Sequence, residues 1–340
     1  MMTEIAKSRT PVASVSRWQL RLVAPFLIAL TGWILLALLL SIPIAYHTRY
    51  VVYLGTLLAL QAAVVVSLNI VLGFAGQFAL SQSAFFGFGA YASALLVRDL
   101  GVGFWTSLPL TAVLTAVLAA AVGYPAMRFT GGIHLALITF AFGELLRLVT
   151  ANLHDFTGGP QGMQLVHTPG SVLGFDFGSA FGLYILAGSF LLFCLLISIV
   201  VRRSNFGRVL FAIRDDETLA ASLGIDVTAH KVAAFMLAST LAALAGTIYG
   251  VFTNFISPEM MSASDSIAFV GMLIVGGLGT ISGPILGTLI FVGLPEFLRV
   301  AKNYRLVLLG IIIVVMALYS PKGIAGVIDR LAVGAKRRGG

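Results

Sequence analysis

Charged residues are scarce in this chain. Only 10% of its 340 residues are Asp, Glu, Lys or Arg, whereas 59% are hydrophobic; a soluble domain carries about 25% charged residues. A chain with so little polar surface cannot cover itself in water, which excludes an ordinary soluble domain. Cys194 is the only cysteine, which excludes an intrachain disulfide framework and a multi-cysteine metal site.

Motifs of catalysis are also missing. The sequence contains no G-x-x-x-x-G-K-[ST] phosphate loop, so we do not expect the chain itself to hydrolyse ATP in that way. Its five histidines are scattered without the spacing of metal ligands, and no acid–base or nucleophile constellation emerges. The sequence therefore predicts a non-enzyme with no catalytic residues, no metal site and no cofactor of its own.

Long apolar runs dominate instead, and they predict membrane helices. Only helices or closed barrels satisfy their backbone in lipid, and these runs exceed the ~10 residues of a barrel strand. We expect an all-α polytopic membrane protein, a bundle of about 8–10 transmembrane helices. Two Gly- and Ser-rich runs, 76–97 and 264–281, are expected to be broken or re-entrant. The runs lie near 22–42, 51–72, 76–97, 104–127, 132–151, 181–201, 232–255, 264–281, 283–298 and 305–320.

The distribution of Lys and Arg predicts the topology. Neither residue occurs between Arg147 and Arg202, so the loop 152–180 is expected outside and the basic loop 202–231 in the cytoplasm. The basic N-terminus 1–21 and the basic tail 321–340 are also expected in the cytoplasm, flanking a membrane domain over 22–320. Counting spans from a cytoplasmic N-terminus places the basic residues of 299–305 outside. Basic residues are expected on the cytoplasmic side, so the topology of this region stays open.

The net charge of +8 does not indicate a nucleic-acid partner. The basic residues flank apolar runs rather than forming one patch, which is where anionic lipid headgroups attract them. The expected contact is therefore the lipid bilayer.

Polar and glycine residues at membrane depth mark a candidate substrate pathway. Glycine lets a membrane helix break where it lines a cavity, and polar groups there need partners or water. Helix packing alone is the alternative explanation. Glu144 and Arg147, an ion pair three residues apart on one helix face, are also candidates, with mutual neutralisation of their charges as the alternative. The candidates are Gly73, Gly76, Gln77, Ser81, Gly87, Gly89, Glu144, Arg147, Gly276, Gly277, Gly279 and Thr280.

Two loops carry further candidates. The Gly- and Pro-rich turn in the external loop, Thr157, Gly158, Gly159, Pro160 and Gly162, is typical of a tight, structured turn. The cytoplasmic loop predicts short helices that end at a glycine, and we interpret it as a docking surface rather than a passive linker. Its candidates are Gly207, Arg208, Arg214, Asp215, Asp216, Glu217, Ala220 and Gly224.

Several motifs, in order, resemble the branched-chain amino-acid (Liv-type) ABC importer permeases over about residues 50 to 325. They are NIVLGFAGQ at 69–77, FFGFGAY at 85–91, TGGPQG at 157–162, GRVLFAIRDDE at 207–217 and IVGGLGTISGPILG at 274–287. The long external loop favours the M-type subunit over its H-type partner.

The resemblance implies a multi-pass protein of the bacterial inner membrane that forms the translocation pathway of a binding-protein-dependent importer. The implied partners are a second, LivH-like permease subunit, two cytoplasmic ATPase subunits that bind ATP-Mg, and a periplasmic substrate-binding protein. It also implies that the candidates of the loop 202–231 couple the permease to the ATPases, with Gly207 and Gly224 shaping the loop and 214–217 making polar contacts.

The sequence leaves the cargo and one other mechanism open. Related permeases are associated with leucine, isoleucine and valine, but also with urea, other amides and small carboxylates. An ion-coupled secondary transporter or channel is the alternative mechanism; it would need an ionisable group at mid-membrane, and Asp265 and Glu296 lie near segment ends.

Overall fold

A computed structural model describes residues 49–164, 169–172 and 175–293. The predicted runs 22–42 and 305–320, the two basic ends 1–21 and 321–340, and the basic residues of 299–305 lie outside the described residues, as does Glu296. The run 283–298 is described only as far as residue 293.

The described chain is helical, as predicted. Five of its helices are long and apolar enough to cross a bilayer: Arg49–Phe74, Phe104–Phe129, Ile133–Asn152, Ala180–Arg203 and Val227–Thr253. We number the α-helices α1 Arg49–Leu68, α2 Gln82–Leu100, α3 Phe104–Phe129, α4 Ile133–Asn152, α5 His154–Thr157, α6 Ala180–Arg203, α7 Asn205–Asp215, α8 Glu217–Ser222, α9 Val227–Thr253, α10 Ala263–Gly276 and α11 Gly283–Thr288.

Shorter elements complete the described chain. Helix α1 continues as a π-helix over Asn69–Phe74, and α11 continues as one over Leu289–Gly293. Two 3-10 turns cover Gly159–Gln161 and Pro258–Met261. The strands are two-residue pairs: β1 Met163–Gln164 is antiparallel to β4 Phe255–Ile256, and β2 Ser171–Val172 is antiparallel to β3 Phe175–Asp176.

Helices α1 and α9 form the centre of the bundle. Helix α9 packs against α2, α3 and α1, and α1 also packs against α6. In α1, 83% of the most apolar stretch is buried, against 28% in α4, so α4 lies at the periphery. Small residues allow the central helices to touch: a Cβ atom on Gly89 of α2 would lie 2.0 Å from the Ala243 carbonyl oxygen of α9.

Two breaks interrupt the apolar helices, close to where the glycine-rich runs predict them. The first break, 75–81, separates the π-helix from α2, and the second break, 277–282, separates α10 from α11. Gly76, Gly277 and Gly279 adopt positive φ angles of 68°, 125° and 74°, which L-residues with side chains rarely adopt. The remainder of the run 76–97 is regular helix, so Gly87 and Gly89 lie inside α2.

The two predicted loops lie at opposite ends of α6, which is 24 residues long and therefore about 36 Å. The loop 153–179 lies beside the end of α2 and the start of α3: Arg98 donates to the Phe156 carbonyl (2.9 Å) and Trp105 Nε1 donates to the Pro169 carbonyl (2.9 Å). Helices α7 and α8 follow the other end of α6. Which end faces outside stays a prediction from the basic residues.

Candidate functional site

The π-helix before the first break meets the second break at the side chain of Asn69. Its Nδ2 donates to the Thr280 carbonyl (2.8 Å), and its Oδ1 accepts from the Gly279 amide (2.9 Å). Asn69 is fully buried, so this pairing satisfies both ends of a carboxamide inside the protein. A Cβ atom on Gly73 would lie 1.9 Å from Asn69 Oδ1, which explains why a glycine stands there.

Arg214, near the end of α7, reaches both breaks. Its Nη1 donates to the Gly73 carbonyl. A Cβ atom on Gly76 would lie 2.8 Å from Arg214 Cγ, and one on Gly279 would lie 2.8 Å from Arg214 Nη1. Three glycines predicted for the pathway therefore surround one arginine predicted for the cytoplasmic loop.

A second polar contact joins α8 to the first break. Glu217 Oε1 lies 2.5 Å from Lys231 Nζ of α9 and accepts from Gln77 Nε2 (3.0 Å). The Lys231 side chain is only 3% exposed, and a buried ammonium group needs such a partner. We call the set Asn69, Gly73, Gly76, Gln77, Arg214, Glu217, Lys231 and Gly279 the junction.

Local sequence chemistry fixes α7 and α8 at the junction. Ser204 Oγ caps α7 by accepting from the Gly207 amide (3.1 Å), and a Cβ atom on Gly207 would lie 2.0 Å from the Val201 carbonyl oxygen. Asp216 Oδ1 caps α8 by accepting from the amides of Thr218 (2.8 Å) and Leu219 (2.9 Å). Glycine at position 207 thus permits the tight turn from α6 into α7.

The remaining candidates of the loop face away from the junction or support it. Arg208 and Asp215 are exposed, and Arg208 bonds to Asn205 within its own helix. Ala220 is a buried residue of α8. Gly224, just after the end of α8, has a positive φ angle of 81°. Two leucines that were not candidates are largely exposed. Leu219 of α8 is 60% exposed, and Leu223, in the turn after α8, is 73% exposed.

Of the other pathway candidates, Thr280 borders the junction through its carbonyl, and Gly276, Ser81, Gly87 and Gly89 lie apart from it. Gly276 packs against α11, where a Cβ atom would lie 1.9 Å from the Gly283 carbonyl oxygen. Thr280 Oγ1 bridges the second break, donating to the Gly277 carbonyl (2.8 Å) and accepting from the Gly283 amide (3.0 Å). Ser81 is buried at the start of α2. Gly87 and Gly89 make close contacts with Met261 and Ala243.

The predicted ion pair forms, with a partner that the sequence did not indicate. Arg147 Nη2 lies 2.5 Å from Glu144 Oε1, and Arg147 Nη1 lies 3.5 Å from Glu259 Oε1 in the turn before α10. The pair therefore links α4 to the segment that enters the broken helix.

The predicted external turn docks on that segment as well. Thr157 Oγ1 donates to the Thr150 carbonyl (2.6 Å) and the Leu153 carbonyl (2.7 Å). Gly158, Gly159 and Gly162 have positive φ angles, and a Cβ atom on Gly162 would lie 2.2 Å from the Ile256 carbonyl oxygen. Pro160 lies within the 3-10 turn Gly159–Gln161.

Two residues of the junction were missed as site residues. Asn69 could have been identified from the sequence, because it is a lone amide side chain inside an apolar run. Lys231 counted only toward the topology, because nothing local indicates that it is buried. Within the described part of the chain, no group of three His, Cys, Asp or Glu side chains could hold a metal ion.

Comparison with known proteins agrees with these motifs. The family model described as "Branched-chain amino acid transport system / permease component" matches residues 48–317. The permease protein LivM of a high-affinity branched-chain amino acid transport system from Salmonella typhimurium is 30% identical over 307 residues, covering 84% of this chain and 69% of that protein.

Other relatives match shorter stretches. The permease protein LivH from Escherichia coli is 31% identical over 135 residues, covering 39% of this chain and 43% of its own length. The ribose import permease RbsC of Bacillus subtilis is 31% identical over 180 residues, covering 48% of this chain and 56% of its own. No solved structure matches.

The family model spans most of the chain, and the likeness to LivM covers 84% of it. The five apolar helices and the family match fit a multi-pass inner-membrane transport subunit. The chain therefore belongs to the family of permease components of branched-chain amino acid ABC transport systems.

Proposed function

We propose that this chain is the M-type permease subunit of an importer for branched-chain amino acids, and that α7 and α8 transmit ATP-driven motion to the two helix breaks. The observation that carries the proposal is the contact of Arg214 with the Gly73 carbonyl, in the π-helix just before the first break, and of Glu217 with the side chain of Gln77 in that break. A movement of this helix pair therefore acts directly on the π-helix and the first break.

The proposed complex contains four kinds of subunit. A LivH-like permease completes the pathway, two cytoplasmic ATPases bind and hydrolyse ATP-Mg, and a periplasmic binding protein delivers the cargo. Leu219 and Leu223, which are largely exposed, suit the ATPase contact, because exposed apolar side chains beside charged ones are typical of interaction surfaces.

The proposed transmission is a shift between two populations. Closure of the ATPases moves α7 and α8, and the guanidinium of Arg214 carries that movement to the Gly73 carbonyl. Gly76 and Gly279 absorb the change in backbone angles, because glycine crosses between regions of φ/ψ space at little cost. The ATPases favour one of the two states only to the extent that they bind that state more tightly than the other.

Ribose import is the second candidate, favoured by the match to RbsC over 180 residues. The more extensive match to LivM, 84% of this chain against 48%, favours amino acids. A direct uptake measurement decides between the two.

The test is uptake into vesicles that contain the full complex, with its binding protein outside and ATP inside. We expect ATP-dependent uptake of leucine, isoleucine or valine and none of ribose. Uptake that an ion gradient drives without ATP would contradict the importer.

Arg214→Gln tests the transmission in the same vesicles. We expect it to reduce uptake at least about tenfold while ATP hydrolysis continues, because a hydrogen bond from a charged donor is lost. Arg128→Gln is the matched control, since Arg128 is also exposed, lies outside the loop 202–231 and bonds to Tyr124 within its own helix. Equal effects of the two substitutions would contradict the role of Arg214.

A further inference from the structure

The first break returns the chain to the interior, so that α2 begins inside the protein. Ser81, Gln82 and Ser83 are at most 3% exposed. Gln82 Nε2 donates to Ser67 Oγ of α1 (2.7 Å) and to the Ala238 carbonyl of α9 (3.2 Å). The first amides of a helix lack partners within the helix and carry the positive end of its dipole. In α2 this end is buried among other helices.

The cap of α2 is incomplete. Ser81 occupies the N-cap position, yet its side chain accepts no cap hydrogen bond, and its buried Oγ has no partner. Five other described helices have a side-chain cap: Ser179, Ser204, Asp216, Asp226 and Ser262 each accept from a first-turn amide of α6, α7, α8, α9 or α10. The start of α2 therefore holds an unused hydroxyl beside amide donors.

Other buried hydroxyls without partners have a different setting. Ser198 and Ser239 lie inside the continuous helices α6 and α9, where a serine can turn its hydroxyl to a carbonyl of the preceding turn. Of these three, Ser81 alone stands at a helix N-terminus.

Ser81 lies beside a glycine of α4 in a closely packed region, where an added Cβ atom on Gly143 would already contact Ala84 Cβ (3.4 Å). Gly143 of α4 faces it without a side chain: an added Cβ atom would lie 3.8 Å from Ser81 Cα. Arg147 follows Gly143 by one turn on the same face of α4. Met261 lies between α2 and α4, touching the position of a Gly87 Cβ atom (2.4 Å) and accepting from Thr150 Oγ1 (3.7 Å).

Helix α10 holds the start of α2 in place and occupies one of its first-turn amides, since the Ser83 amide donates to Ser266 Oγ (3.1 Å). Ser83 Oγ bonds to Ser266 Oγ (2.6 Å) and to the Ser262 carbonyl (2.7 Å). The first turn of α10 is already capped, since Ser262 Oγ accepts from the Asp265 amide (3.2 Å), and it carries the Asp265 carboxylate. An anion is therefore favoured at α2 and not at α10.

We infer that Ser81 and the first turn of α2 form a binding site for the carboxylate group of the transported substrate. The inference rests on the proposed function, because it takes the cargo to be an amino acid. A carboxylate that leaves water regains hydrogen bonds from the Ser81 hydroxyl and from the first-turn amides of α2 other than that of Ser83, and the helix dipole stabilises its charge. The site directly follows the break that Arg214 contacts, so motion at the junction reaches it.

Charge-selective labelling tests the site without any cargo. Ser81→Cys is made in the Cys194→Ser background of the full complex, without binding protein. It is treated with anionic sulfonatoethyl methanethiosulfonate and with cationic trimethylammonioethyl methanethiosulfonate, each with and without ATP. Gln161→Cys, at an exposed position, gives the reference ratio of the two rates. We expect the anionic preference at position 81 to exceed the reference about tenfold, since the site favours negative charge.

Two labelling results would overturn the inference. One is an anionic preference at position 81 no greater than at position 161. The other is no reaction with either reagent in any nucleotide state, because a transport site must open to water in one of them.

Uptake separates this inference from the proposed function. Ser81→Ala is expected to lower the kcat/KM of leucine uptake about tenfold, whereas the control Ser198→Ala stays within about twofold of wild type. Normal leucine uptake by Ser81→Ala would overturn the site and leave the proposed importer intact. Ribose uptake by the wild type would refute the amino-acid cargo, and labelling would still report the anion preference.

Discussion

At the scale of single residues, the glycines of the breaks are explained by their neighbours. The space for a Cβ atom at Gly73 is taken by Asn69 Oδ1, and the space at Gly76 and Gly279 is taken by Arg214. Gly76 and Gly279 also have positive φ angles. The breaks therefore need glycine for two separable reasons, backbone conformation and close approach.

Gly279→Ala and Gly101→Ala separate these reasons. Both glycines have positive φ, 74° and 63°, but nothing lies within 4 Å of a Cβ atom on Gly101, whereas Arg214 Nη1 lies 2.8 Å from one on Gly279. We expect Gly101→Ala to cost about 1 kcal/mol of stability, and Gly279→Ala to cost about 1–3 kcal/mol more and to reduce uptake. Thermal unfolding in detergent and vesicle uptake measure the difference. Equal losses in the two variants would show that the contact with Arg214 is unimportant.

At the scale of elements, α7 and α8 form a small unit fixed from two sides. Leu210 and Ile213 are buried beneath α7, the Ser204 and Asp216 caps set the helix starts, and the Glu217–Lys231 pair ties α8 to α9. Hydrophobic contact and an ion pair thus hold the unit against the breaks. A unit fixed in this way moves as one body.

Glu217→Gln and Lys231→Met should destabilise the protein unequally. Glu217→Gln leaves the buried Lys231 ammonium, 3% exposed, without its charged partner, which is expected to cost about 3 kcal/mol. Lys231→Met leaves a carboxylate that is 46% exposed, which water solvates, so a cost of about 1 kcal/mol is expected. Thermal unfolding of the single and double variants gives the coupling between the two residues.

The double variant supplies the control for this pair. It should be more stable than Glu217→Gln, because it no longer buries an unpaired charge. Strictly additive losses would show that the two side chains do not interact.

At the scale of the whole molecule, the described long helices run between two ends, and each end is held together by its own contacts. The junction lies at the end with α7 and α8, and the other end is closed by the pairing of β1 with β4, in which Met163 faces Ile256. Met163 also packs on a buried cluster that contains Ile256 and Met261. A transporter that alternates between open states has to loosen one end while the other holds.

A disulfide across β1 and β4 should lock that end. Cα atoms of opposed residues in an antiparallel pair are about 4.5–5.5 Å apart, within the range of a disulfide. We expect Met163→Cys/Ile256→Cys, in a Cys194→Ser background, to lose uptake when oxidised and to regain it on reduction. Each single cysteine variant should stay active in both conditions. Full uptake by the oxidised double variant would mean that this end does not open.

The sequence by itself determined the class of protein, the place of both breaks and the family resemblance. These depend on local chemistry: apolar length requires a bilayer, and Gly-Gly-x-Gly followed by Ser-Gly-Pro at 276–284 cannot continue a regular helix. It also selected Arg214, Glu217, Gly73, Gly76 and Gln77 as candidates, but in two separate groups. The predicted 8–10 spans exceed the five described helices of membrane-spanning length: the runs 22–42 and 305–320 lie outside the described residues, and the run 264–281 forms the shorter helix α10.

Only the tertiary structure decided that the two groups meet. Arg214 and Gly73 are 141 residues apart, and Asn69 and Thr280 are 211 apart, so no local pattern specifies either contact. The packing of α1 and α9 and the return of the chain at each break bring these atoms together. The same packing buries Lys231 and leaves the Ser81 hydroxyl without a partner, because burial is a property of the assembled helices and not of any one segment.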